Sequence, residues 1–375
     1  MFYQTALDQL QKKSRLRSLT SRAGIDFTSN DYLGLASSYR LCGAVTSAIE
    51  RGVAVGAGGS RLLRGNSPEH EALESDAAKF FRAERSLFFG SGYVANFAVL
   101  STLPQREDLI VLDALAHASA HEGTRAGRAT VARARHNDAE SFDEEIRMWR
   151  SRGGRGRVWV VVESLYSMDG DRAPLAQLMT ICRRHEAMLY IDEAHATGVF
   201  GPDGRGLAAE FEGQENVMAL HTCSKALGGA GALVNGPRVL CEFLINRCRP
   251  FIFGTAPSPL LAVAALEALK VLKDEPERRE RLSQLMEAAT QAARSHFLSL
   301  PRGSQILPVI IGDDARAMAM AGALQRRGFD VRAVRPPSVP EGTARLRISL
   351  SLNVDEKAIS ALFDALGAEC RALLP

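Results

Sequence analysis

The chain has 375 residues, a formal net charge of +3 and a charged fraction of 24%. Its length suggests about two or three packed units, and the near balance of charge does not indicate a nucleic-acid-binding protein, which needs a concentrated basic surface. None of the six cysteines forms a CxxC pair, so we expect free thiols in a reducing compartment and no metal site.

The N-terminal sequence MFYQTALDQLQKKSRLRS lacks the continuous apolar core of a signal peptide. The longest uncharged run, residues 250–266, is interrupted by prolines and is too short to span a membrane. We therefore expect a cytoplasmic protein that has no membrane partner.

Residues 1–38 are predicted to form an N-terminal arm. A basic amphipathic helix through Leu16 is followed by a short strand at Ile25–Thr28 and by a turn-rich segment. Residues 52–65 are rich in glycine and arginine and should form a loop. Pro68 then begins a helix, because proline is well tolerated in the first helical turn.

Residues 39–270 are predicted to form a large α/β domain. Short apolar runs that end in glycine or aspartate each precede a helical stretch, a pattern typical of buried strands in a largely parallel sheet. These runs are Ser86–Phe89, Leu109–Leu112, Val158–Val162, Leu189–Ile191, Val217–Leu220 and Ala232–Val234. Strands that alternate with helices indicate a mostly parallel central sheet flanked by helices.

Residues 271–375 are predicted to form a smaller α+β domain. A long helical segment begins after Pro259 and is interrupted around residues 274–276. The rest of the domain mixes strands and helices. The predicted elements are a strand at Ile306–Ile311, a helix near Arg316–Arg327, strands at Phe329–Val334 and Leu346–Leu350, and a final helix from Asp355.

Lys225 differs from the other lysines, which lie in amphipathic helical stretches. It follows an apolar strand in the segment HTCSKALGG, where small residues would let a cofactor approach the backbone. A buried lysine readily loses its proton and can act as a nucleophile or form a Schiff base. The hydroxyls of Thr222 and Ser224 could bind a phosphate. This segment alone does not exclude a lysine in a surface turn.

A second candidate segment follows the apolar strand MLYI and consists of two acids, a small residue and a histidine, Asp192, Glu193, Ala194 and His195. Functional groups gather at the carboxyl ends of strands in open α/β sheets. Asp192 could pair with a protonated pyridine nitrogen and make the ring an electron sink, and His195 could hydrogen-bond its phenolic oxygen. The pattern also resembles the Mg²⁺-binding strand of an ATP-driven helicase. That function requires a GxxxxGK[ST] loop, and the chain contains no Gly-Lys pair.

The segment Gly90–Ala95 follows a predicted strand and begins a helix, where backbone amides can bind a phosphate. Its spacing also fits GxGxxA, the fingerprint of dinucleotide binding. The motif therefore indicates a phosphate without identifying the cofactor that carries it. A plain tight turn is the structural alternative.

Polar residues follow two further predicted strands. His117 could stack on a planar ring, although a single partly buried histidine more often has a structural role. In ESLYSMDGD, which begins at Glu163, Ser167 could reach a cofactor oxygen, whereas Asp169 and Asp171 are better explained as organising the turn.

The predicted strand Arg345–Ser349 carries alternating arginines. One face of the strand should be buried, so one arginine either pairs internally or binds an anion such as a substrate carboxylate. An ordinary edge-strand arginine is the alternative.

Taken together, these segments resemble the α-oxoamine synthases, within the fold-type I pyridoxal-phosphate enzymes. The resemblance extends from SNDYLGL at residues 29–35 to VRAVRPPSVP at residues 331–340, and so covers almost the whole chain. The intermediate segments are GAGGSRLLRGNSPEH, HASAHEG, ESLYSMDGDRAPL, DEAHATGVFGPDGRG and PFIFGTAPSP. The resemblance implies a fold-type I transferase, pyridoxal 5'-phosphate as the cofactor, and a homodimer with active sites at the subunit interface.

The resemblance also implies a role for each matching residue. Lys225 would bind the cofactor covalently, Asp192 would pair with the pyridine nitrogen, His195 with the phenolic oxygen, and His117 would stack on the ring. The other implied contacts are Gly92, Tyr93, Thr222 and Ser224 at the phosphate, Ser338 from a partner subunit, Glu163 and Ser167 lining the site, and Arg347, Asn30 and Arg17 for the substrates.

Two positions depart from the family pattern. His221 stands where the family usually has glycine, which could alter the packing beneath the phosphate and puts the Thr222 contact in doubt. Ser338 stands where relatives often have threonine, which keeps the hydroxyl.

Within the family, the resemblance is greatest to the members that act in biotin biosynthesis. It implies condensation of L-alanine with pimeloyl-CoA or pimeloyl-acyl carrier protein, with release of CO₂ and the thiol carrier. Motifs that hold the cofactor do not separate this reaction from condensation of glycine with acetyl- or succinyl-CoA, or of serine with a long acyl chain. Two functions of different classes also stay open, a nicotinamide dehydrogenase built on Gly90–Ala95 and a non-catalytic binding module.

Overall fold

The computed structural model describes residues 2–296, 298 and 300–373. Residues 1, 297, 299, 374 and 375, which the predicted arm and C-terminal domain include, lie outside this range. The described chain forms two compact units. The larger unit comprises Leu33–Ser167 and Arg172–Arg279, and the smaller unit comprises the residues up to Tyr32, the segment Met168–Asp171 and the residues from Glu280 onward.

The strands and helices are numbered in chain order. The strands are β1 (Ile25–Asp26), β2 (Arg85–Phe89), β3 (Leu109–Asp113), β4 (Thr130–Ala134), β5 (Val158–Glu163), β6 (Met188–Asp192), β7 (Val217–Thr222), β8 (Ala232–Gly236), β9 (Ile306–Gly312), β10 (Phe329–Asp330), β11 (Arg332–Val334) and β12 (Ala344–Ser349). The helices are α1 (Phe2–Lys12), α2 (Tyr39–Glu50), α3 (Pro68–Phe80), α4 (Gly92–Thr102), α5 (Ala118–Ala126), α6 (Ala139–Ser151), α7 (Leu175–Arg184), α8 (Arg238–Arg247), α9 (Arg249–Phe253), α10 (Pro259–Asp274), α11 (Glu277–Ser295), α12 (Asp314–Arg326) and α13 (Glu356–Leu373), with a 3₁₀ turn at Pro202–Gly204.

The larger unit is built on a seven-stranded sheet with the order β2-β8-β7-β6-β5-β3-β4. All neighbouring strands are parallel except β8, which runs antiparallel to both β2 and β7. The mostly parallel sheet predicted from the sequence is confirmed, and each of its six predicted strands is present. Strands such as β5, in which every residue is buried, read as continuous apolar runs because helices cover both faces of the sheet.

Strand β4 was not predicted from the sequence. It lies at the edge of the sheet, pairs with β3, and four of its five residues are exposed or only partly buried. Because little of this strand is covered, its sequence, TVARA, contains no continuous apolar run. An edge strand of this kind is recognised by its hydrogen bonding and not by its hydrophobic pattern.

The smaller unit contains a three-stranded antiparallel sheet with the order β11-β12-β9 and a parallel pair formed by β1 and β10. The strand predicted as Phe329–Val334 is instead two strands in different sheets, separated at Val331. Strand β1 pairs with β10, and Ile25 lies opposite Phe329. This pairing explains why the N-terminal residues belong to the same unit as the C-terminal segment.

All six cysteines are free thiols, as their spacing predicted. In the part of the chain that the structure describes, the helices are either too short or too polar to cross a lipid bilayer.

Candidate active site

Half of the candidate residues lie at or just after the carboxyl ends of three adjacent parallel strands. Glu163 ends β5, Asp192 ends β6, and the two residues lie opposite each other in the register of these strands. Thr222 ends β7, the next strand of the sheet, and Lys225 lies three residues further on. The fold therefore gathers these side chains at one edge of the sheet of the larger unit, as expected for an open α/β sheet.

Lys225 and His195 are in direct contact. The Nζ atom of Lys225 lies 2.8 Å from Nε2 of His195. His195 is buried, whereas Lys225 is half-buried and thus still accessible from one side. This contact allows a proton to be shared or passed between the amine and the imidazole.

The turn that holds Lys225 depends on a glycine in a left-handed conformation. Gly228 has a φ of +65°, and its N–H donates to the carbonyl oxygen of Lys225 at 2.9 Å. A Cβ atom at this position would overlap the backbone of Leu35 and Ala36. Only glycine therefore fits here, for reasons of both backbone conformation and space.

Gly228→Ala should destabilise the larger unit by about 2 kcal/mol or more, because it combines left-handed strain with backbone overlap. The matched control is Gly229→Ala, since a Cβ atom there would meet its nearest neighbour, the carbonyl oxygen of Cys223, at 3.5 Å. Thermal unfolding of both variants tests this expectation. Equal melting temperatures for the two variants would contradict it.

The carboxylate of Asp192 is buried and accepts hydrogen bonds at both oxygens. Asn96 Nδ2 donates to Oδ2 at 2.6 Å, and the backbone N–H of Ala194 donates to Oδ1 at 2.9 Å. These two donors define the plane of the carboxyl group, and they suit the negatively charged form of the side chain.

His117 caps α5 and lies at the end of the loop after β3. Its Nδ1 lies 2.7 Å from the hydroxyl of Ser119, and its ring makes an edge contact with Tyr93 at a centroid distance of 6.4 Å. Desolvation lowers the pKa of the imidazole, and the Lys225 cation lowers it further, although Asp192 opposes the shift. The ring is therefore neutral near pH 7, and His117 remains exposed to a ligand.

Glu163 is buried beside Asp192. Its Oε2 accepts a hydrogen bond from the backbone N–H of Ser167 at 3.1 Å, whereas its Oε1 has no hydrogen-bond partner among the described residues. Burial raises the pKa of Glu163 well above its usual value, and the neighbouring Asp192 carboxylate raises it further, against the effect of Lys225. The shift favours the protonated form of this carboxyl group.

The predicted phosphate site combines a helix N-terminus with two hydroxyl groups. Thr222 Oγ1 lies 2.9 Å from Ser224 Oγ. Gly92 begins α4, and a Cβ atom on it would lie 3.6 Å from Thr222 Oγ1, so the first turn of the helix faces this hydroxyl. The first amides of a helix have no helical acceptors, and Tyr93 contributes one of them. Hydroxyls and amides are thus brought together where an anion would be stabilised.

His221 does not displace the hydroxyl of Thr222. Its Nδ1 lies 2.9 Å from Thr197 Oγ1, its Nε2 lies 2.8 Å from Glu212 Oε1, and its ring stacks on Phe81 at a centroid distance of 3.7 Å. Successive side chains of a strand point to opposite faces of the sheet, so the imidazole packs on the face opposite to Thr222. The histidine fills space beneath the sheet and leaves the predicted phosphate site intact.

The remaining candidates lie in the smaller unit. Arg347 is buried in β12 and donates to Ser349 Oγ at 2.7 Å and to Asn30 Oδ1 at 3.1 Å. Its neighbour on the same face, Arg345, pairs with Asp169 at 2.5 Å. The alternative of an edge-strand arginine is wrong, because β12 is the central strand of its sheet.

Ser338 and Arg17 are both exposed. Ser338 lies in the turn after β11, where its N–H donates to the carbonyl oxygen of Arg335. Arg17 lies close enough to Arg335 that, together with burial, it lowers the pKa of that guanidinium. Both residues thus lie at the surface of the smaller unit, whereas Arg347 is buried in its sheet.

Asn96 was not predicted from the sequence, although it contacts Asp192 directly. The side chain is fully buried in α4, one helical turn after Gly92. The sequence contains a signal that could have identified Asn96. It is a polar residue on a mostly apolar helix that begins with a candidate phosphate motif, and buried polar groups require partners.

The sequence matches the family described as Aminotransferase class I and II over residues 22–366. The chain is 45% identical over 357 residues to a protein of Anaeromyxobacter dehalogenans (strain 2CP-1) named 8-amino-7-oxononanoate synthase, with 94% of this chain and 88% of that protein covered.

Two solved structures are also similar. One is a serine palmitoyltransferase from S. paucimobilis with a bound PLP–myriocin aldimine, at 28% identity and a TM-score of 0.89, with 99% and 97% of the two chains covered. The other is an 8-amino-7-oxononanoate synthase from Francisella tularensis, at 29% identity and a TM-score of 0.79, with 93% and 98% covered.

Proposed function

Because this chain belongs to the aminotransferase class I and II family, we propose that it condenses L-alanine with a pimeloyl thioester, in a step of biotin biosynthesis. The products would be 8-amino-7-oxononanoate, CO₂ and the free thiol carrier, which is either coenzyme A or acyl carrier protein. The predicted fold-type I architecture and the resemblance to the α-oxoamine synthases are confirmed by the relatives. The chain is a pyridoxal-phosphate enzyme of the acyltransferase type.

The observation that carries the proposal is the amine of Lys225 beside His195, at the same sheet edge as the buried carboxylate of Asp192. An aldehyde cofactor with a phosphate and a pyridine ring needs an amine, an anion site and a carboxylate, and the larger unit supplies all three. Thr222 and Ser224 with the first turn of α4 fit the phosphate. These features match the cofactor better than the nicotinamide dinucleotide of the rival dehydrogenase, which has no use for the lysine.

Pyridoxal phosphate, when bound, supplies an electron sink for negative charge on the carbon beside the amino nitrogen. Asp192 would hold a proton on the ring nitrogen, since two hydrogen-bond donors keep its carboxylate in a fixed orientation. Neutral His117 would pack on the ring, and His195 would donate to the phenolic oxygen. Gly92, Tyr93, Thr222 and Ser224 would hold the phosphate, while Ser167 and Glu163 would line the site.

Lys225 would hold the cofactor covalently until the amino group of alanine displaces it, and the freed amine would then act as the general base that removes the Cα proton of alanine. Its 2.8 Å contact with His195 gives the amine a neighbour with which a proton can be shared. Arg347 would bind the alanine carboxylate with help from Asn30, because its guanidinium is already oriented by two hydrogen bonds. We also propose that Arg17 contacts the acyl donor. We further propose that the enzyme is a homodimer in which Ser338 of one subunit contacts the phosphate in the active site of the other.

The proposed substrates are tested by assaying purified protein with each pair of amino acid and acyl donor. L-Alanine, glycine and L-serine are combined with pimeloyl-, acetyl-, succinyl- and palmitoyl-CoA, and pimeloyl-acyl carrier protein forms a further arm. Released thiol and CO₂ are measured together. We expect turnover with alanine and a pimeloyl thioester, whereas a preference for glycine or serine would overturn the substrate assignment.

A further inference from the structure

Asn96 connects three functional or buried groups of the larger unit. Its amide donates to Asp192 Oδ2 at 2.6 Å and to Ser119 Oγ at 3.0 Å, and its Oδ1 accepts from the hydroxyl of Tyr190 at 2.9 Å. The side chains of Asn96, Ser119, Tyr190 and Asp192 are all buried. Both amide hydrogens are therefore donated, and the amide oxygen accepts one hydrogen bond, so each polar atom of this buried side chain has a partner.

The carboxylate of Asp192 and the hydroxyl of Tyr190 together determine which way the amide of Asn96 points. Burial raises the pKa of this phenol well above its usual value, and the nearby Asp192 carboxylate raises it further, so Tyr190 stays protonated and can donate. The carboxylate of Asp192 can only accept a hydrogen bond, whereas a phenol hydroxyl can donate or accept. The NH₂ group must then face Asp192, and the flipped amide would place its oxygen against the carboxylate.

The position of Asn96 on α4 adds a second connection. The helix begins at Gly92, where the phosphate is proposed to bind, and reaches Asn96 about one turn later. The same helix therefore begins at the proposed phosphate site and contacts the carboxylate of Asp192 about one turn later. The network also extends to His117, because Ser119 Oγ lies 2.7 Å from its Nδ1.

We propose that Asn96 is a positioning residue that holds the carboxylate of Asp192 in the orientation required by the cofactor's ring nitrogen. The inference rests on the proposed function and deepens it, because Asn96 acts through Asp192 and not on the substrate. Tyr190 in turn holds Asn96. Hydrogen bonds thus connect Tyr190 in β6 to Asn96 in α4, and Asn96 to Asp192 at the end of β6.

The test is a double-mutant comparison with cofactor affinity as its readout. Asn96→Ala is made in the unchanged protein and in an Asp192→Ala background, and pyridoxal phosphate is titrated into each apoprotein. We expect Asn96→Ala to weaken binding about tenfold in the unchanged protein, as for loss of a hydrogen bond to a charged group. In the Asp192→Ala background the further loss should be less than about twofold, because coupled residues are not additive.

Two companion variants separate positioning from folding. Tyr190→Phe removes the hydroxyl that orients the amide without leaving a large cavity, and should weaken cofactor binding in the same direction by a smaller factor. Asn235→Ala removes a buried asparagine from β8 of the same unit and should leave cofactor affinity unchanged. Thermal unfolding of each apoprotein shows whether a loss of affinity comes from a loss of fold.

The outcomes distinguish this inference from the proposed function. If the unchanged protein did not bind pyridoxal phosphate at Lys225, both would be wrong. If it bound normally, and Asn96→Ala weakened binding equally in both backgrounds or not at all, only the role of Asn96 would be wrong. The pH dependence of the bound cofactor's absorbance is a further readout, since a shift in Asn96→Ala that is missing in Asn235→Ala supports an effect through Asp192.

Discussion

Lys225→Ala should lower the rate of condensation by about 10⁴-fold, the upper end of the range for loss of a catalytic acid or base. The substitution removes the amine that we propose binds the cofactor and later accepts the Cα proton. Initial rates of thiol release measure the loss. In parallel, borohydride reduction followed by mass analysis should label the Lys225 peptide of the unchanged protein and leave the variant unlabelled.

Two controls accompany this variant. Lys270→Ala changes an exposed lysine of α10 that pairs with Glu267, and should leave both rate and labelling unaltered. Lys225→Arg keeps a cation in place but stays protonated, so it should be almost as inactive as Lys225→Ala. A Lys225→Ala rate within tenfold of the unchanged protein would rule out the proposed mechanism.

Asp192→Asn should lower the condensation rate by about 10³-fold, comparable with the loss of a key electrostatic group in an active site. Asparagine has nearly the same shape as aspartate but no charge, and so cannot stabilise a proton on the ring nitrogen. It also places an amide near the NH₂ group of Asn96, where a carboxylate oxygen now accepts at 2.6 Å. Exchange of the alanine Cα proton in heavy water isolates this effect, because it requires no acyl donor.

The matched comparison for Asp192→Asn is Glu163→Gln, the same type of change at the end of the adjacent strand. Burial and the Asp192 carboxylate raise the pKa of Glu163, which favours the uncharged form of this side chain. Glutamine resembles the protonated acid, and the loss should be much smaller than that of Asp192→Asn. Equal losses in the two variants would mean that charge at Asp192 is not the cause.

Buried strands and the residues that follow them could be predicted because their patterns are local. The runs at Val158–Val162 and Leu189–Ile191 are apolar throughout because both faces of the sheet are covered, and they form β5 and β6. Parallel strands place their carboxyl ends at one edge, so Asp192 and Lys225 could be expected near each other before any distance was known. The family motifs strengthened these assignments residue by residue.

Other features could not be predicted because they depend on partners far away in the chain. Strand β4 is defined by pairing with β3 and not by its own composition. The division of Phe329–Val334 into two strands depends on Ile25 opposite Phe329 and on Arg347 opposite Arg332. Such pairings join segments roughly 300 and 15 residues apart, and hydrophobic periodicity contains no information about them.

By itself, the sequence determined the α/β architecture and the family. It also identified Lys225, Asp192 and His195 as candidate site residues. These properties follow from residue type and spacing along the chain. Only the tertiary structure decided that Asn96 donates to Asp192, that Tyr190 donates to Asn96, and that His221 packs away from the candidate phosphate site. A hydrogen bond requires two groups at a set distance and angle, and for residues far apart in sequence that geometry exists only in the folded chain.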